Sequence, residues 1–149
     1  MFYGPITCAC VCALLTVYTD GSARRIANVL CAGSGIYWGP NCPANALFHV
    51  PGTSTNNRRE LFTVLQALDS ARLHHPLNIC TDSTYVIHTF CHWIGTIADL
   101  GWCVPNSDLI HATALRLHMH CAPVQFIKVK AHSGNAHNDC ADSYAAQGA

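Results

Sequence analysis

Leu77-Asn78-Ile79-Cys80-Thr81-Asp82-Ser83-Thr84-Tyr85 reads as a short buried strand that stops at an acid, with a helix opening at Ser83. The same grammar appears upstream, where Leu14 to Thr19 makes a strand ended by Asp20-Gly21. Cys31 to Trp38 and Ala46 to Val50 are two further strands, separated by a Gly-Pro-Asn-Cys-Pro loop. From Asn57 to Leu73 the period becomes helical, with Leu61, Leu65 and Leu68 recurring and Val64 and Ala71 beside them. Downstream, Ser83 to Trp93 and Ser107 to His120 read as helices. The second shows Ile110, Ala114 and Leu117 on one face and Asn106 or Ser107 as its cap. Val124 to Val129 is a fifth strand and Asn138 to Gln147 a last helix. The order β-β-β-α-β-α-α-β-α predicts an α/β (α+β) domain: a five-stranded mixed sheet flanked by helices.

The bulk properties agree. The 149 residues suit one domain, and 50% hydrophobic with 11% charged residues excludes disorder. Formal net charge is zero, without the basic excess of most nucleic-acid binders. Any grip on a polyanion must therefore be local or be helped from elsewhere. The 10 cysteines include no Cys-x-x-Cys pair. Cys31, Cys80 and Cys91 lie in apolar runs, which predicts buried thiols in a reducing, intracellular compartment, cytoplasm or nucleus. The apolar run Ile6 to Val17 is too short to span a bilayer, and no basic residue precedes it, so no membrane partner is expected. Residues 1–13 read as a lead-in and 14–149 as the domain.

Four of the eight acidic residues occupy telling places. Asp20 and Asp82 end strands, Glu60 lies in the first turns of the long helix, and Asp142 lies in the last helix. If the first and fourth strands are neighbours, Asp20 and Asp82 project from one edge, and the two helices can add Glu60 and Asp142. Like charges gathered in one place raise one another's pKa and cost stability. A divalent cation removes that cost, and a set of hard oxygen ligands favours Mg²⁺ or Mn²⁺ over zinc. Two such ions can clamp the attacking and leaving oxygens of a phosphodiester. Any one of these acids alone reads more readily as a cap or a solvated surface group, and Asp82 before Ser83 could simply begin a helix.

The motifs together resemble the type 1 ribonuclease H family from Leu14 to Ala149. Thr19-Asp20-Gly21-Ser22 resembles the family's first-strand motif, and Ala32-Gly33-Ser34-Gly35 the glycine pair of its second strand. Thr55-Asn56-Asn57-Arg58-Arg59-Glu60-Leu61 is similar to the opening of its long helix, and Thr81-Asp82-Ser83-Thr84-Tyr85-Val86 to its fourth-strand motif. Lys130-Ala131-His132-Ser133-Gly134 with Asn138-Asp139-Cys140-Ala141-Asp142 resembles its final loop and helix. Gly35 to Asn41 is closer to eukaryotic and retroelement members than to bacterial ones.

The resemblance implies hydrolysis of the RNA strand of RNA–DNA hybrids by a two-metal mechanism. Asp20, Glu60, Asp82 and Asp142 would be the metal-binding carboxylates, with Asp20 bridging two Mg²⁺ ions, for which Mn²⁺ could substitute. Asp139 is passed over because it lies three residues before the ligand position. His132 would be a mobile-loop histidine assisting proton transfer or product release, a role that suits an imidazole in a glycine-containing loop. For the substrate, Asn57 would touch the minor groove. Thr55, Asn56 and Asn106 would form a pocket for a DNA-strand phosphate, and Trp93 would lie beside the DNA strand. For Asn106 and its fellows the plain alternative is capping and turn formation.

Two departures from the family stand out. The stretch Ile94 to Cys103 holds no Lys or Arg, and Ile97 stands where a second aromatic is often found, so weak binding of hybrid is expected. Within these 149 residues no appended hybrid-binding module, as carried by some cellular members, is expected. A weak stand-alone binder, or a segment of a larger polyprotein such as a retroelement reverse transcriptase, is the expectation. The alternatives are a non-catalytic nucleic-acid or protein interaction module on the same fold, and a related nuclease that cuts DNA.

Overall fold

The computed structural model describes residues 2–3, 12–50, 55–131 and 134–149. Among them the chain runs β1 (Phe2–Tyr3), β2 (Leu15–Ile26), β3 (Val29–Tyr37), β4 (Ala46–His49), α1 (Asn56–Ser70), β5 (Leu77–Thr81) and α2 (Thr84–His88). A π-helical turn (Thr89–Trp93), α3 (Ile94–Asp99), α4 (Ser107–Met119), β6 (Val124–Lys128) and α5 (Ala136–Gly148) follow. The strands form one sheet in the order β1-β6-β5-β2-β3-β4. β2, β3 and β4 make an antiparallel meander, while β5 joins β2 in parallel and β6 joins β5 in parallel. This is the mixed five-stranded sheet expected from the sequence. The two residues of β1 extend it, pairing antiparallel with β6 from within the segment read as a lead-in.

Alternation along β3 sorts the layers. Ser34 donates a hydrogen bond to Thr63 Oγ1 on α1 (2.7 Å), so its face carries α1. Gly33 and Gly35, pointing the other way, lie under α5. A Cβ at Gly33 would stand 2.0 Å from the carbonyl oxygen of Ala145. The glycine pair is therefore a space requirement, since α5 rests on bare strand backbone there.

The core lies between the sheet and α1, α2 and α4, around Val17, Ile36, Leu61, Leu77, Ile79 and Phe90. On α1 the fully buried stripe is Leu61, Val64 and Leu68, with Leu65 at its rim. Each such side chain contributes roughly 1.5–3 kcal/mol of burial free energy. Phe90 stacks on Phe126 at 5.7 Å between ring centroids, tying the π-helical turn to β6.

Two expected boundaries move. Asp20-Gly21 does not end the first strand, because β2 continues to Ile26 and turns through Ala27 and Asn28, both at positive φ. The helix expected over Ser83 to Trp93 widens into the π-helical turn and then continues as α3 to Asp99. Among the described residues no helix is long and apolar enough to cross a membrane.

Candidate active site

The site forms where two parallel strands part company. Thr19 and Thr81 are the last residues paired between β2 and β5. The next residue of each chain is Asp20 or Asp82, and both emerge at this opening. Thr19 Oγ1 donates to the Cys80 carbonyl (3.2 Å), fastening the two strands just below it. Asp82 is fixed through its backbone. Lys128 Nζ donates to its carbonyl oxygen and to Thr84 Oγ1 (3.0 Å). Ser83 carries the capping duty for α2, its Oγ accepting from the Val86 N–H (3.3 Å), so the Asp82 carboxylate is not the cap.

Glu60 arrives on α1, and Gly21 lets it come close. A Cβ at Gly21 would lie 2.8 Å from the Arg59 Cβ and 3.0 Å from the Glu60 backbone nitrogen. Thr63, one turn beyond Glu60, locks the same contact, with its hydroxyl 3.2 Å from the Asp20 carbonyl and 2.8 Å from that of Arg59. Carboxylate oxygens of Asp20, Glu60 and Asp82 thus lie within 4.8 Å of one another. Asp142, on α5, shares a hydrogen bond with the Asp20 carboxyl from the other side of the sheet.

The cluster carries the electrostatic mark of crowded acid. Burial, the Asp142 hydrogen bond and the charges of Asp82 and Asp142 push Asp20 up to about 8, against an opposing hydrogen bond from the Gly21 N–H. Burial, then the charges of Asp20 and Asp82, hold Glu60 well above the usual carboxylate range. Glu60 Oε2 is buried without a hydrogen-bond partner. A buried, unpaired carboxylate oxygen among other carboxylates is a poor arrangement for protein alone and a suitable one for a hard divalent cation.

A second feature lies beside the cluster. Asn57, one turn before Glu60, lines a cavity of about 400 Å³ together with Tyr85, Trp93, Ile97 and Asn106. Trp93 is 47% exposed, an unusual position for a large aromatic. Asn106 occupies the N-cap of α4 at φ 60°, yet its side chain makes no capping hydrogen bond. The capping alternative therefore accounts for its backbone and leaves its amide for the cavity. Thr55 does cap, its hydroxyl accepting from the Arg58 N–H (3.2 Å). Thr55 and Asn56 lie at the exposed start of α1, outside the cavity lining. His132 lies outside the described residues.

The sequence reading missed the part that joins these helices. Arg58 donates to both carboxylate oxygens of Asp108, at 2.9 and 2.7 Å, clamping the start of α1 to the start of α4. Only the adjacency of Arg58 to the Glu60 motif hinted at it, since a pair 50 positions apart leaves no periodic signal.

A mixed sheet with this strand order, α5 on one face and carboxylates where two adjacent parallel strands stop pairing define a ribonuclease H-like fold. Solved structures agree: a foamy viral protease-reverse transcriptase in complex with dsDNA superposes with a TM-score of 0.75 at 21% identity, covering 90% of this chain and 92% of that one. LC9-RNase H1, a type 1 RNase H with the type 2 active-site motif, gives 0.71 at 24% identity, covering 91% and 72%. The RNase H family model matches residues 13–149. Ribonuclease H1 of Homo sapiens is 31% identical over 148 residues, covering 91% of this chain and 50% of that protein. Ribonuclease H of Neisseria gonorrhoeae is 33% identical over 139 residues, covering 89% and 93%. The chain belongs to the RNase H family, in its type 1 branch. It spans about half the length of the mammalian relatives it matches.

Proposed function

We propose that this chain is an endoribonuclease that hydrolyses the RNA strand of RNA–DNA hybrids, using two divalent cations held by Asp20, Glu60, Asp82 and Asp142. The observation that carries the reading is the convergence of Asp20, Glu60 and Asp82 from three elements onto one point, with the Glu60 Oε2 buried and unpaired. Mg²⁺ is the expected ion, with Mn²⁺ as substitute, because every donor is a hard oxygen. Bound there, the ions would supply Lewis-acid stabilisation to a phosphodiester and relieve the repulsion among the acids.

The chain's own groups have separate tasks. Asp20, the carboxylate that meets all the others, would be the ligand common to the site. Gly21, with no side chain to obstruct α1, brings Glu60 beside Asp20. Asn57, Trp93 and Asn106 would seat the DNA strand in the neighbouring cavity, with amide donors suited to phosphate oxygen. Thr55 and Asn56 would meet the substrate at the start of α1, and His132 would assist proton transfer. A likeness to a foamy viral protease-reverse transcriptase, solved in complex with an RNA/DNA hybrid, supports the substrate class and a place within a larger polyprotein. Free thiols at Cys80 and Cys91 fit a reducing compartment inside the cell.

Incubation of the purified chain with labelled RNA–DNA hybrid and with duplex DNA, in Mg²⁺ or in EDTA, tests the reading. Cleavage of the RNA strand of the hybrid, in Mg²⁺ alone, is expected. Equal cutting of duplex DNA, or binding of hybrid without cleavage in either Mg²⁺ or Mn²⁺, would overturn it.

A further inference from the structure

Three of the four site carboxylates are carried by regular structure. Asp20 lies within β2, in register with Gly35 of β3. Glu60 lies within α1 and Asp142 within α5. Asp82 does not share that support. β5 ends at Thr81 and α2 opens at Thr84, so Asp82 falls in the link between them, outside both strand and helix. A ligand on such a link is held less precisely than one on a strand or helix, and misplacement by an ångström is costly to a reaction.

Lys128 supplies what the link lacks. It is the last residue of β6 and the register partner of Thr81. Its ammonium donates to the Asp82 carbonyl oxygen and to Thr84 Oγ1 (3.0 Å). One side chain from a different strand thus ties Asp82 to the first residue of α2. The carbonyl of Asp82 has left the sheet ladder and needs a donor; here the donor is charged, which strengthens the bond. Helix stability does not account for the lysine, because a cation at the opening of a helix opposes the partial charge of the exposed N–H groups there. Lys128 is also exposed, so holding it to two acceptors costs rotamer freedom. The ammonium is bonded to the Asp82 backbone, which leaves the carboxylate oxygens to a cation.

We propose that Lys128 is a positioning residue: by pinning the Asp82 carbonyl and the Thr84 hydroxyl it aims the Asp82 carboxylate at Asp20 and Glu60 and so sets the affinity of the site for divalent cation. The inference rests on the metal-site reading and adds to it a residue outside the four acids.

Lys128→Met tests this, since it keeps the length of the side chain and removes its donors. Calorimetric titration of Mn²⁺ should show affinity about tenfold weaker than wild type, the scale on which groups supporting a metal ligand act, while the melting temperature without metal moves little. Equal affinities in two proteins that both bind overturn the proposal; no Mn²⁺ binding by wild type overturns the site reading beneath it instead. In hybrid cleavage at one Mg²⁺ concentration, kcat should fall while KM and its slope against log salt stay as in wild type. A raised KM with a salt slope shallower by about one unit marks Lys128 as a direct phosphate contact and overturns the positioning role. Amide hydrogen exchange without metal gives a readout apart from both. The Ser83 N–H, which donates to Thr81 Oγ1 (3.1 Å) within the link, should exchange faster in Lys128→Met, and the Ile79 N–H inside β5 should not. Unchanged protection at Ser83 contradicts the proposal.

Discussion

Gly35 on β3 lies directly beneath Ala141 of α5, so close that a Cβ at Gly35 would stand 2.1 Å from the Ala141 carbonyl oxygen. Gly35 is also the register partner of Asp20 across β2 and β3, and Ala141 precedes Asp142. The close approach that seats α5 is thus the same one that brings Asp142 to Asp20.

Gly35→Ala should therefore push α5 off the sheet and withdraw Asp142. The obstruction is backbone, which cannot swing aside, so a destabilisation of about 1–3 kcal/mol is expected, as for overpacking. Cleavage should fall more than the loss of folded protein explains. Thermal melts together with cleavage rates, both below the melting transition, check this.

Without metal, Asp20 makes the folded protein less stable as pH rises. Its pKa is raised from 3.8 to about 8 on folding, so the folded state holds a proton that the unfolded state releases. The contribution is fully present below pH 3.8 and is lost as pH climbs through about 8. In EDTA, wild-type Tm should fall across that window, and Asp20→Asn should flatten the fall and melt higher at its alkaline end. Adding Mg²⁺ should raise the wild-type Tm and leave that of Asp20→Asn nearly unmoved. Melts at several pH values, with and without Mg²⁺, supply the comparison.

Trp93 is exposed and lines a cavity without a Lys or Arg. Its ring also meets the His88 ring edge-on at 5.1 Å, so Trp93→Ala should cost about 0.5–1.5 kcal/mol of stability. If it stacks or packs on nucleic acid, hybrid KM should rise on the order of tenfold. The slope of log KM against log salt should stay as in wild type, because no phosphate charge contact is removed. KM measured over a salt series tests both halves.

Ala27 turns the β2–β3 hairpin at φ 48°, followed by Asn28 at φ 64°. Two successive positive φ values suit Asn or Gly and strain Ala. Ala27→Asn should stabilise the fold by roughly 1 kcal/mol with activity unchanged, read as a rise in Tm.

The sequence disclosed the elements whose residues repeat with a clear period, and it misplaced those governed by contact with something distant. Leu61 and Leu68 announce α1, and the run Leu77 to Thr81 announces a buried strand. Asp20-Gly21 looked like a turn because Asp-Gly so often is one. Its glycine serves instead to admit α1, a reason that exists only once the helix is in place. The real turn, Ala27-Asn28, carries only a weak local signal. The four acids could be singled out through their motifs, but their meeting depends on β2 and β5 being parallel neighbours, which no local pattern encodes. The Arg58–Asp108 clamp is hidden for the same reason.

The central claim is that Asp20, Glu60, Asp82 and Asp142 together bind divalent cation. Calorimetric titration of Mn²⁺ into wild type and Asp20→Asn, at one pH and salt, addresses it most directly. Saturable binding to wild type and at least a tenfold weaker affinity in a still-folded Asp20→Asn is the expected result, since the variant removes the one shared ligand. Equal affinity in the two proteins would contradict it.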